Sequence, residues 1–222
     1  MVPANIMEEE LVGYRALVVD YGGVLTTPLQ DAMIAFSADI GIELQDLVRV
    51  ALKAYAGHED SLVHDFETGT ISEEEFSADL AARLKEEAGV EVEPEGLVRR
   101  LFAGMQLEED MMTAVVMARR AGLKTALLSN SWGLSLYPRD RFPEMFDVVV
   151  ISGEIGMRKP DPQIFHATTD QLSLEPQECV FVDDHPGHLQ AAAEVGMTTV
   201  LHRTPTDTIT ELEQLLNIPL RP

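Results

Sequence analysis

Three short runs rich in Val, Leu and Ile, each ending on a polar or acidic side chain, constrain this chain more than any other feature. They are Ala16 to Val19 before Asp20, Thr125 to Leu128 before Ser129, and Cys179 to Val182 before Asp183. Runs without apolar-polar alternation suit strands covered on both faces, the environment of a parallel sheet. Val148 to Ile151 and Thr198 to Leu201 read as further strands of the same sheet. Between them, Met111 to Ala121, Pro162 to Leu172 and Leu189 to Val195 have helical spacing, with Gly122 and Gly196 placed where helices stop. A last helix is expected over Asp207 to Leu216. Strands alternating with helices predict an α/β fold, a doubly wound, Rossmann-like parallel sheet.

The first two strands are separated by a long stretch, 28–105, with apolar positions at helical spacing and no period-two run. The expected organisation is therefore a core made of 1–27 and 106–222, with a helical domain of 28–105 inserted after the first strand. Inside the insert, Ser72 followed by Glu73 to Glu75 has the pattern of a capping box opening a helix toward Lys85. Gly41, Gly57, Gly69 and Gly89 punctuate the rest.

At 222 residues with 45% apolar content, the chain can fill the core such a sheet requires. Its formal charge of -22 would repel a phosphate backbone or an anionic bilayer, so neither nucleic acid nor membrane is an expected partner. The single cysteine, Cys179, lies in a strand run and is expected to be buried rather than reactive. The start of the chain, with Glu8 to Glu10, lacks the basic and apolar pattern of a signal peptide, and no apolar run is long enough to span a bilayer. The expected location is the cytoplasm. Oligomeric state is not legible.

In open α/β sheets ligands bind outside the carboxyl ends of the strands, which would gather Asp20, Ser129, Asp183 and Asp184 at one mouth. Grouped carboxylates repel unless a cation offsets them, and hard oxygen ligands suit Mg²⁺. In Asp20-Tyr-Gly-Gly-Val-Leu-Thr, Gly22 and Gly23 allow a tight loop whose N–H groups can meet an anion. Ser129 and Asn130 offer a hydroxyl and an amide to an oxyanion, although such a pair more often caps a helix. Lys159, within Gly-Met-Arg-Lys-Pro-Asp-Pro, can aim an ammonium into the mouth. At ~4 Å from an oxyanion it would contribute about 4 kcal/mol of gross attraction at an effective dielectric near 20. Arg158 is expected to be a surface residue.

Nucleophile Asp, Ser, Lys and acidic pair, in this order on these strand ends, resemble the haloacid dehalogenase superfamily. The segments Leu-Ser-Asn-Ser-Trp, Gly-Met-Arg-Lys-Pro-Asp-Pro-Gln-Ile-Phe and Val-Phe-Val-Asp-Asp are most similar to the N-terminal phosphatase domain of soluble epoxide hydrolase and its bacterial relatives. The resemblance implies a helical cap domain at the insert and a Mg²⁺-dependent phosphatase of a small organic phosphate. It implies that Asp20 attacks phosphorus to give an aspartyl-phosphate, that Ser129 and Lys159 hold the transferring group, and that Gly22, Gly23 and Asn130 line the phosphate site. The implied metal ligands are Asp20, the carbonyl of Gly22, and Asp184 with Asp183 assisting.

The chain departs from the family at Gly22, where most phosphatases of the superfamily have a second Asp that protonates the leaving oxygen. General acid-base catalysis is typically worth about 10²- to 10⁴-fold. Three outcomes stay open: another group substitutes, the substrate has a good leaving group, or the protein is a non-catalytic relative that binds Mg²⁺ and phosphate. A 2-haloacid dehalogenase also lacks acid at this position, but Asp183 and Asp184 would repel its carboxylate substrate. Candidate proton carriers are His185 and His188 beside the acidic pair. His58 and His64 lie on the insert, where exposed histidines are more often solvated. Trp132 and Tyr137 are candidates either for the substrate mouth or for packing against the insert. Met111, Met112 and Met117 read as core filling.

Overall fold

The computed structural model describes residues 13–55 and 61–222; the Glu8 to Glu10 segment, Gly57 and His58 lie outside the described residues. Five parallel strands form one sheet in the order β3-β2-β1-β4-β5: β1 (Ala16–Val19), β2 (Lys124–Ser129), β3 (Val148–Ile151), β4 (Cys179–Asp183) and β5 (Thr198–Leu201). All five fall where the sequence places them. Their unalternating composition has the expected cause, because successive β1 residues enter different cores. Leu17 and Val19 pack on one face with Met111, Met112 and Val115, while Ala16 and Val18 pack on the other with Ile164, Phe165 and Phe181. Burying such a side chain fully contributes about 1.5–3 kcal/mol. Cys179 is fully buried, and Met111 and Met112 are core residues.

The helices follow the chain. In the stretch between β1 and β2 lie α1 (Leu29–Ile40), α2 (Leu44–Tyr55), α3 (Leu62–Glu67), α4 (Glu73–Arg83) and α5 (Leu97–Leu101). After them come α6 (Glu109–Arg120), α7 (Phe142–Met145), α8 (Ser152–Ile155), α9 (Pro162–Leu172), α10 (Pro186–Glu194) and α11 (Pro205–Leu216). The capping box at Ser72 forms: the Glu75 N–H donates to the Ser72 hydroxyl at 3.1 Å, and the Ser72 N–H donates to the Glu75 carboxylate at 2.8 Å. The α4 helix then passes into a π-helical turn over Leu84–Ala88, which the sequence pattern does not distinguish from its continuation. The last two helices begin earlier than the apolar spacing indicates, because Pro186 and Pro205 occupy their first turns.

Among the described residues of 28–105 there is no strand, and helices α1 to α5 share an apolar cluster that includes Phe36, Val50, Phe66, Phe76, Leu80 and Leu97. Trp132 and Leu136, which follow β2, pack against this cluster. Thr26 bridges Leu107 at the two chain crossings. Gly69, at φ +71°, lies so close to Gly153 that an added Cβ would come within 2.5 Å of the Gly153 carbonyl oxygen. Among the described residues, no helix is long and apolar enough to cross a membrane.

Candidate active site

Strand register fixes the arrangement. Val19 is level with Leu127 on β2 and with Val182 on β4, so the next residue, Asp20, lies beside Asp183 at the carboxyl ends of the strands. The Asp20 N–H donates to the Val182 carbonyl at 2.9 Å, extending the ladder one step past the strand. Strand order turns outward in both directions from β1, and this is where an open α/β sheet forms its crevice. Carboxylate oxygens of Asp20, Asp183 and Asp184 lie within 4.8 Å of one another.

Lys159 has no solvent exposure, and its ammonium lies 2.8 Å from Asp20 Oδ1 and 2.6 Å from Asp183 Oδ2. Burial works against its charge, but Asp183 and Asp20 outweigh that and raise its pKa. Burial pushes the Asp20 carboxyl up to about 7; Lys159 opposes this, while Asp183 and Asp184 add to it. The Asp183 carboxyl resists burial and is held low by Lys159 and His188. Asp184 reaches solvent at the mouth, yet desolvation and the neighbouring Asp183 raise its pKa. Two of the three carboxyls thus resist ionising with only one ammonium present, which a divalent cation would relieve. An all-oxygen donor set of this kind fits Mg²⁺.

The loops after β2 and before α9 are tied together by Asn130. Its amide donates to the Lys159 carbonyl at 3.0 Å, and the Lys159 N–H donates back to its side-chain oxygen at 2.8 Å. One N–H of this amide therefore holds the lysine loop, and Asn130 also lines the cavity that Asp20 lines. Ser129 Oγ lies 2.9 Å from the Tyr137 hydroxyl, and the Tyr137 ring packs 4.7 Å from that of Tyr21.

The two glycines differ. Gly23 is at φ +74°, and its N–H donates to Thr26 Oγ1 at 3.1 Å, which competes with any anion for that donor. A Cβ there would sit 2.3 Å from Asp184 Oδ2, whereas one at Gly22 would meet nothing within 4 Å. His188 Nδ1 lies 3.1 Å from both Asp183 oxygens, and His185 Nδ1 accepts from the Gly187 N–H at 3.2 Å. His64, on α3, lines the cavity that Asp20, Ser129, Lys159 and Asp184 also line.

Arg158 is not the surface residue that the sequence suggests. Its side chain is 20% exposed and donates at 2.5 Å to Glu67, whose side chain is 3% exposed. Burial raises the Glu67 pKa, and Arg158 opposes the rise. The Glu67 carbonyl accepts from the Ser152 hydroxyl, which in turn accepts from the Ser131 N–H at 2.7 Å. Helix α3 is thereby tied to the loop that follows Ser129 and carries Asn130 and Ser131. Nothing in the sequence singles out Glu67 among 38 acidic residues, because Ser152 and Arg158 lie 85 and 91 positions away.

A family model described as haloacid dehalogenase-like hydrolase matches residues 14–196. The chain is 31% identical over 197 residues to a phosphatase of Mycobacterium tuberculosis, covering 84% of this chain and 86% of that protein. It is 28% identical over 220 residues to the bifunctional epoxide hydrolase 2 of Sus scrofa, covering 93% of this chain. It spans only 39% of the pig protein's length and 20% of that of another long relative. A solved haloacid dehalogenase family enzyme of Bacteroides thetaiotaomicron, in complex with magnesium and inorganic phosphate, shares the fold at a TM-score of 0.66 and 22% identity. That match covers 86% of this chain and 95% of the other. On the family match and the shared fold, the chain belongs to the haloacid dehalogenase-like hydrolases.

Proposed function

We propose that this hydrolase is a Mg²⁺-dependent phosphatase of a small organic phosphate and that Asp20 is its nucleophile. The observation that carries the reading is the meeting of Asp20, Asp183 and Asp184 around a buried Lys159. The phosphatase name of the mycobacterial relative supports it, as do the magnesium and phosphate in the Bacteroides structure. Asp20, Asp184 and the carbonyl of Gly22 would hold Mg²⁺, with Asp183 assisting. Bound there, the ion supplies positive charge to the phosphoryl oxygens and keeps Asp20 ionised.

The chain's own residues do the rest. Asp20 attacks phosphorus and forms an aspartyl-phosphate, which water then hydrolyses. Lys159, kept charged by the carboxylates around it, and the Ser129 hydroxyl hold the transferring oxygens. Asn130 sets the Lys159 backbone and is a positioning residue. Helices of 28–105 act as a cap over the mouth, since Leu29, Tyr55, Glu67 and Phe102 line the same cavity as Asp20. The acidic pair disfavours the dehalogenase reading.

Mg²⁺-dependent hydrolysis of p-nitrophenyl phosphate tests the assignment. Asp20→Asn is expected to abolish turnover in a folded protein, and near-wild-type activity would refute it. Chloride release from chloroacetate without metal would instead favour the dehalogenase. Mg²⁺ binding without turnover of any ester would identify a non-catalytic relative.

A further inference from the structure

Two independent features of the cavity bear on the group that leaves when phosphorus is attacked. The first is chemical. Gly22 can neither give nor take a proton, so the position two residues after the nucleophile offers a leaving oxygen no donor. An aliphatic alkoxide, about as basic as hydroxide with a conjugate pKa near 15.7, leaves slowly without a donor. A phenolate, with a conjugate pKa of about 10, leaves far more readily.

The second is the wall. The cavity holds about 750 Å³, and three of the chain's four tyrosines and its one tryptophan line it. Tyr21 and Tyr137 flank the acids. Farther out, Trp132 lies 5.4 Å from the Phe102 ring and 6.2 Å from that of Tyr55, with Leu29, Met105 and Leu136 completing an apolar surface. Arg158 and Glu67 are committed to each other, and Thr26 to the nucleophile loop. A polyol would lose its hydration against such a wall, whereas a flat apolar ring gains ring contacts.

Resting on the phosphatase reading above, we propose that the substrate is the phosphate monoester of an aromatic hydroxyl. Asp20 forms a bond to phosphorus while the P–O bond to the ring oxygen breaks, and the electron pair departs on that oxygen as a phenolate. Water then adds to phosphorus and passes a proton to a phosphoryl oxygen. The bond to Asp20 breaks with its pair returning to the carboxylate, and the released phenolate and phosphate equilibrate with solvent protons.

The test compares phenyl, benzyl, hexyl and acetyl phosphate with the full chain and Mg²⁺. Benzyl phosphate keeps the ring but leaves as an alkoxide, and acetyl phosphate leaves readily but has no ring. The expected kcat/KM for phenyl phosphate exceeds those for benzyl and hexyl phosphate by about 10²- to 10⁴-fold, and Gly22→Asp narrows that gap by accelerating the two alkyl esters. Trp132→Ala is expected to raise KM for phenyl phosphate about tenfold more than it raises KM for acetyl phosphate. Asp20-dependent hydrolysis of all four at similar kcat/KM overturns the aromatic assignment and leaves the phosphatase reading standing. Failure to hydrolyse any of them, or undiminished rates in Asp20→Asn, overturns both.

Discussion

Replacing Gly23 by Ala should uncouple folding from metal binding, and the structure gives the size of both effects. A Cβ at this position would lie 2.3 Å from Asp184 Oδ2 and 2.8 Å from its Cγ, and side-chain carbons essentially never approach closer than 3.0 Å. The Asp184 carboxylate must therefore retreat by about 0.7 Å, a third of a Mg–O bond, around an ion that demands near-ideal octahedral geometry at about 2.0–2.1 Å. Misplacement on the order of 1 Å costs about 10²-fold in rate, so Mg²⁺-dependent turnover should fall by roughly that factor, with a higher half-saturating Mg²⁺ concentration. The φ of +74° adds about 1–2 kcal/mol of backbone strain for a residue with a side chain. That lowers the unfolding temperature by only about 2–8 °C. Gly22→Ala is the control, because its Cβ meets nothing within 4 Å, its φ is not left-handed and its carbonyl is retained. The assay is Mg²⁺ titration of p-nitrophenyl phosphate hydrolysis beside thermal unfolding. Unchanged Mg²⁺ dependence in Gly23→Ala, or an equal defect in Gly22→Ala, would refute the reasoning.

Mg²⁺ should stabilise the folded chain by about 2.7 kcal/mol at a hundredfold excess over its dissociation constant, and Asp184→Asn should remove most of that gain in a thermal-shift assay; an equal shift in the variant would place the ion elsewhere. Arg158→Ala, which strands the buried Glu67, should cost about 3 kcal/mol in chemical unfolding, while adding Glu67→Gln should recover part of it; additive losses would show that the pair is not coupled. Burial holds the His202 imidazole below its usual pKa. The unfolded chain therefore binds the proton first as pH falls through about 6.5, and stability is lost below that pH. His202→Gln should flatten the stability profile between pH 7 and 5, measured by urea unfolding, and a steeper profile would contradict the sign.

What could be read in advance was what depends on local pattern. The strand runs are legible because a four-residue apolar run in a doubly covered sheet leaves little choice, as at Ala16–Val19 and Cys179–Val182. Asp20, Ser129, Asp183 and Asp184 were legible because each ends or follows such a run, and parallel register then aligns them. Lys159 was legible as an ammonium held in a proline-flanked segment, and its role was implied by the family motif. Contacts made across the chain were hidden. Arg158 resembled any solvated arginine until Glu67 arrived from α3 to bury it. Asn130 had the composition of an oxyanion donor, and its two bonds to the Lys159 backbone, 29 positions away, had no local signal. The different demands on Gly22 and Gly23 come from Asp184, more than 160 residues away.

The most direct measurement of the central claim is acid quenching of the Mg²⁺-loaded enzyme during turnover of p-nitrophenyl phosphate, followed by peptide mass spectrometry. The account predicts a phosphoryl group on the peptide bearing Asp20, absent when Mg²⁺ is withheld and absent from Asp20→Asn. A phosphoryl group on another residue, or an Asp20→Asn protein that still forms the adduct, would contradict it.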